Sequence, residues 1–110
     1  MEARYSMSRT TRRIELHHTL ENLLGSRNVY FQPPGGTKLS YPCIVYRLNS
    51  AQDIHADDKI YSRMFSYTLT YITKDPDDSM RDLIDDLPYC RFNQFFISDN
   101  LNHYVYTIYA

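Results

Sequence analysis

Four histidines, two cysteines and three pairs of adjacent aspartates are the groups in this 110-residue chain that could do chemistry. His17 and His18 are neighbours in a helical pattern and point about 100° apart, so they cannot grip one metal ion as an i, i+4 pair does. His55 and His103 stand alone, with no cysteine or glutamate at ligand spacing. Cys43 and Cys90 fall within strand-like runs of bulky residues, whereas a reactive thiolate needs an exposed, electropositive setting. Asp57-Asp58, Asp77-Asp78 and Asp85-Asp86 diverge from each other as adjacent residues must, and do not make convergent carboxylates. Gly35-Gly36-Thr37-Lys38 imitates a phosphate loop. It lacks the full spacing and a following helix whose N-terminus could meet a phosphate, and reads instead as a hairpin turn. No catalytic constellation and no metal or cofactor site emerges, and the chain is expected not to be an enzyme.

What stands out is tyrosine: eleven copies, with no tryptophan. Its ring packs like any aromatic while its hydroxyl wants a partner, so it suits sheet faces and partly wet interfaces alike. Net charge is −1, which gives no overall attraction to nucleic acid. The charges are nevertheless segregated. Arg4, Arg9, Arg12 and Arg13 cluster early, whereas Asp53, Asp57, Asp58 and then six aspartates from Asp75 to Asp86 form acidic stretches. Such patches are usually solvated faces, and they also suit head-to-tail contacts between identical subunits. A tyrosine-rich sheet could instead stack RNA bases, but only Arg47 and Arg63 lie among the central aromatics. With no signal peptide the two thiols are expected to be reduced and buried. No apolar run approaches the length of a membrane span.

The elements that would position these residues follow from periodicity. Residues 1–8 are polar and expected to be flexible, and residues 9–110 form a single domain. Leu16, Leu20, Leu23 and Leu24 repeat at helical spacing from about Arg9, with Gly25 as the stop. Asn28 to Gln32 is a short strand cut by Pro33-Pro34-Gly35-Gly36. Tyr41-Pro42 opens a second strand, Cys43 to Leu48, apolar on both faces and therefore central. Asn49 to Asp58 is a long acidic loop, a class of segment that often carries function. Ile60 to Thr73 then alternates aromatic and hydroxyl side chains, a strand with one buried and one wet face. At full extension it would reach roughly 45 Å, so it is bulged or projects as an arm with the preceding loop. Asp75 should cap a helix with Pro76 at its first position and Met80, Leu83, Ile84 and Leu87 as its apolar stripe, ended by Pro88. Cys90 to Ile97 and Leu101 to Tyr109 make a hairpin around Ser98-Asp99-Asn100, with Phe92 and Phe96 on one face of the first strand and Phe95 and Ile97 on the other. The order α-β-β-β-α-β-β predicts an α+β domain: a mainly antiparallel sheet of about five strands with two helices packed on it.

With the strands placed, Asn28-Val29-Tyr30-Phe31-Gln32-Pro33-Pro34 and Tyr41-Pro42-Cys43-Ile44-Val45-Tyr46 resemble the tail terminator, or tail-completion, family of neck proteins in long-tailed bacteriophages. The likeness continues through Ala56-Asp57-Asp58-Lys59-Ile60-Tyr61, the tyrosine-alternating strand and Lys74-Asp75-Pro76-Asp77, covering about residues 12 to 109. It implies a virion structural protein without catalytic residues, present in the host cytoplasm during assembly. Such a protein forms a homohexameric ring that caps the major tail tube protein, halts polymerisation and meets the head–tail connector, while DNA passes through without sequence-specific binding. The long loop and the strand after it are then the expected arm: Asp53, His55, Asp57, Asp58, Lys59 and Tyr61 would contact a neighbouring subunit or the tube, with Arg9, Arg12 and Arg13 as further interface residues. A head-closure or connector adaptor, and a small nucleic-acid-binding α+β module, are the competing readings.

Overall fold

A computed structural model describes residues 9–49 and 65–110, with the backbone alone at Arg9. Helix α1 (Arg9–Leu24) is followed by strands β1 (Val29–Phe31), β2 (Cys43–Leu48) and β3 (Ser66–Thr73), helix α2 (Met80–Asp85), and strands β4 (Cys90–Ser98) and β5 (Leu101–Tyr109). The strands form one mixed, mostly antiparallel sheet in the order β1-β2-β3-β5-β4. This is an α+β fold with the element order that the periodicity predicts.

Alternation assigns the faces. Registers such as Tyr46 opposite Leu69 and Leu69 opposite Tyr106 line up one set of side chains across the sheet. Val29, Ile44, Tyr46, Tyr67, Leu69, Tyr71, Tyr104, Tyr106 and Ile108 join Leu16 and Leu20 of α1 and Ile84 of α2 in one buried cluster. Leu20, Ile44 and Leu69 are completely buried, and each such side chain contributes about 1.5–3 kcal/mol by leaving water. Thr68 and Thr70 point the other way and stay half-buried, as the hydroxyl phase of β3 requires.

Much of the tyrosine surplus is therefore core. Tyr46, Tyr67, Tyr71, Tyr104 and Tyr106 are all buried. The Tyr46 hydroxyl accepts a hydrogen bond from Arg13 and meets His17, Tyr71 donates to the Asp78 carboxylate, and Tyr106 donates to the Arg81 carbonyl. A ring that spans the core and reaches a polar rim explains tyrosine rather than phenylalanine at these positions.

Helix α1 ends at Gly25, which takes φ +78° and donates its N–H to the Glu21 carbonyl at 2.8 Å. A left-handed residue at this point is the usual helix stop, and glycine adopts it without strain.

Four expectations need correction. First, β1 pairs with β2 in parallel, so Gly35-Gly36 is no hairpin turn. A tight turn does form, with Thr37 donating through N–H and Oγ1 to the Pro34 carbonyl. It lies inside a crossover, residues 32–42, that carries the chain back to the start of β2. Second, Asp75 does not cap α2 and Pro76 is not its first residue. Asp75 Oδ1 instead accepts the Asp77 N–H at 2.9 Å. The Asp78 carboxylate holds Tyr71, Thr73 Oγ1 and the Met80 N–H, and this tether delays the helix until Met80. Third, α2 ends at Asp85, short of Pro88, and Leu83 leaves the stripe at 47% exposure.

The fourth correction concerns β4. Phe92 stands opposite Tyr106 while Gln94 stands opposite Val105, so Asn93 is an extra residue in the ladder. One inserted residue reverses the facing of everything after it. Phe92 and Phe95 consequently share the helix-covered face, touching Tyr106 and Tyr104, while Phe96 stacks on His103 on the opposite face with ring centroids 4.5 Å apart. The hairpin itself is as read: Asp99 and Asn100 both take positive φ, the conformation that a two-residue hairpin turn requires.

Candidate assembly surface

Of the residues singled out from the sequence, Asp53, His55, Asp57, Asp58, Lys59 and Tyr61 lie outside the described residues, as does the part of the tyrosine-alternating strand before Phe65. What is described is the base of that segment. β2 and β3 are antiparallel neighbours, with Leu48 opposite Tyr67, so Asn49 and Phe65 lie at the same end of the sheet. Asn49 closes that base: its Nδ2 donates to Ser66 Oγ, its Oδ1 accepts from Thr68 Oγ1, and its N–H donates to the Ser66 carbonyl.

The arginines of α1 have distinct settings. Arg13 reaches inward, its guanidinium 4.3 Å from the centroid of the Phe31 ring and its NH1 3.2 Å from Tyr46 Oη. Arg12 lines a groove of about 310 Å³ between α1 and the segment after α2, beside Leu87, Pro88 and Tyr89. Its Nε is buried without a hydrogen-bond partner. Arg9 is placed only as the first residue of the helix.

The other candidates for chemistry are dispersed. Among the described residues, no group of three or more His, Cys, Asp or Glu converges. Cys43 and Cys90 are free thiols, the first buried and the second half-buried. In the sheet order they occupy the second and fifth strands on opposite faces, about 14 Å apart across the sheet and a further five residues apart along the strands, level with His103 and Ile108 of β5, well beyond disulfide reach. Burial raises both, to about 11, so neither is an activated nucleophile. His17 is the most engaged histidine: Nδ1 lies 2.8 Å from Tyr46 Oη and Nε2 lies 3.5 Å from Glu21. Burial holds its pKa below the usual 6.5, helped by the charges of Arg13 and His18 and opposed by Glu21. This cluster pins α1 to β2.

The sheet has two unlike edges. β1 is a three-residue strand, whereas β4 is a nine-residue strand exposed along almost its whole length. Phe92, Phe95 and Phe96 are 39–46% exposed and Ile97 is 64% exposed, and Leu83 of α2 and Tyr89 just before β4 are exposed as well. Long edge strands are normally blunted with lysine, proline, inward charges or a bulge, and of these β4 has the bulge at Asn93. β4 has no lysine or proline, and its one charge, Arg91, comes before the apolar run. Alternation alone could not have located this rim, because it does not reveal which strand lies at the edge and nothing around Asn93 announces a bulge.

Charge follows the same axis. Residues 9–49, which make α1, β1 and β2, carry six Lys and Arg against two Glu; residues 65–110, which make β3, α2, β4 and β5, carry three against seven Asp. The strand order puts β1–β2 and β5–β4 on opposite sides of the sheet, and α1 packs beside β1 while α2 packs beside β4. The described structure is therefore basic toward β1, with its acidic excess on α2 and the turn before it rather than on β4 or β5.

No helix among the described residues is long and apolar enough to cross a membrane. Comparisons with protein-family models, curated proteins and solved structures find no match to this chain.

Proposed function

We propose that this chain is a structural protein of a bacteriophage neck: a tail terminator that assembles as a ring on the completed tail tube, stops its polymerisation and presents a surface to the head connector. The observation that carries this reading is the long apolar edge at β4, flanked by the acidic α2, while α1 and the β1 side of the described residues are basic. Exposed patches of this kind mark association surfaces, and unlike edges suit the head-to-tail contacts that close rings. The residue strings of β1, β2 and the Lys74–Asp77 turn, which resemble the terminator family, supply the particular assembly. In this role the protein works in the virion and in the host cytoplasm during assembly, its partners are its own copies, the tube protein and the connector, and DNA crosses the ring without being read.

Particles assembled without the chain provide the test. The expected result is overlong tails or tails without heads, visible by electron microscopy. Leaking heads with no tails attached move the assignment to a head-closure or connector adaptor. Tails of normal length joined to heads contradict both roles.

A further inference from the structure

We infer that copies of this chain join head to tail, with the acidic, apolar β4–α2 edge of one copy seated against the basic α1–β1 edge of the next. The first ground is complementarity. Asp82 and Asp86 project exposed from α2, which packs against β4 and places Arg81 over the Phe92 and Tyr104 rings. On the other side Arg27 and Arg47 are exposed in the connection before β1 and at the end of β2. The second ground is that each edge offers apolar surface: Ile97 at 64% exposure on β4, and Ile14 and Leu48, each at 40%, on α1 and β2. Apolar burial would hold the contact while opposed charges steer it and set its direction. Two copies of the α2 flank, each exposing Asp82 and Asp86, would repel across a two-fold axis, which disfavours the isologous alternative.

This contact deepens the ring reading and rests on it for its setting, but it is testable on the purified full chain. Sedimentation velocity over a range of concentrations, at about 20 mM and about 500 mM salt, should show self-association that weakens as salt screens the charges. Asp82→Lys with Asp86→Lys reverses one edge, and Arg27→Glu with Arg47→Glu reverses the other. All four sites are exposed, so circular dichroism and thermal midpoint should stay near those of the parent chain. Each double variant alone should associate about tenfold more weakly. An equimolar mixture of the two should recover the large species, because the acid-reversed copies and the base-reversed copies complement one another. Ile97→Lys should abolish association.

A chain that remains monomeric under all these conditions, variants that associate like the parent, or a mixture that fails to recover would each overturn the contact. Loss of association in the acid-reversed variant alone would indicate a two-fold contact and overturn it equally. Failure of the ring reading looks different: the mixture recovers, yet particles lacking the chain have normal, head-joined tails.

Discussion

The two edges of the sheet solve the problem of unpaired backbone in opposite ways. β1 is short, lies alongside β2 in parallel, and is stopped by Gln32, Pro33 and Pro34. The Gln32 side chain even takes up the Leu48 N–H at 3.0 Å, so the end of the β1–β2 ladder is finished from within the molecule. β4 is three times as long, and Phe92, Phe95, Phe96 and Ile97 are exposed along it. Its bulge at Asn93, anchored to Thr107 at 2.6 Å, brings Phe95 onto the same face as Phe92 and sends Phe96 to the other. A strand that serves only the core gains nothing from that exposure. The difference teaches that the tyrosines hold the fold together while the phenylalanines of β4 stay partly exposed at the rim, where the proposed contact would cover them.

If that division is right, substitutions in the tyrosine core and at the phenylalanine rim should have separable effects. The largest loss of stability is expected beneath α1. Leu20→Ala removes a fully buried side chain and should cost about 2–5 kcal/mol in urea unfolding; a cost below about 1 kcal/mol would mean that α1 is not docked as described. Tyr71→Phe comes next. It deprives the Asp78 carboxylate of one of its three donors and should cost about 1–2 kcal/mol, with the Asp75–Met80 turn losing amide-exchange protection. No loss at all would detach that turn from the core.

The pH response should be smaller and has a defined sign. In the folded protein the His17 pKa lies below its usual 6.5, so as pH falls through that value the unfolded chain binds a proton that the folded chain refuses. Stability should therefore decline as pH drops below about 6.5 and be fully present above it. Thermal melts at about pH 7.5 and about pH 5.5 should show the decline, and His17→Gln should flatten it. An unchanged slope in the variant would remove His17 as its source.

Much of the fold is legible in the amino-acid sequence. Leu16, Leu20 and Gly25 bound α1, and the aromatic phase of β3 names its buried face, because each rests on local periodicity or on the left-handed preference of glycine. What the sequence hides depends on contacts distant along the chain. Nothing local distinguishes a parallel crossover at Pro33–Pro42 from a hairpin. Asp78 reads as one of a run of acids, and only its meeting with Tyr71 and Thr73 makes it a tether. The rim is hidden for the same reason, since edge position is a property of strand order. The division of charge, by contrast, is visible in the sequence, although not that the sheet places its two halves on opposite sides.

Particles carrying the Ile97→Lys chain in place of the natural one test the central claim most directly. Ile97 is the most exposed apolar residue of the β4 rim, so the substitution should change folding stability by no more than about 0.5 kcal/mol. The account predicts a chain that melts like the parent yet yields overlong tails or tails without heads. Tails of normal length on filled heads, made with a chain shown to be folded, would contradict it.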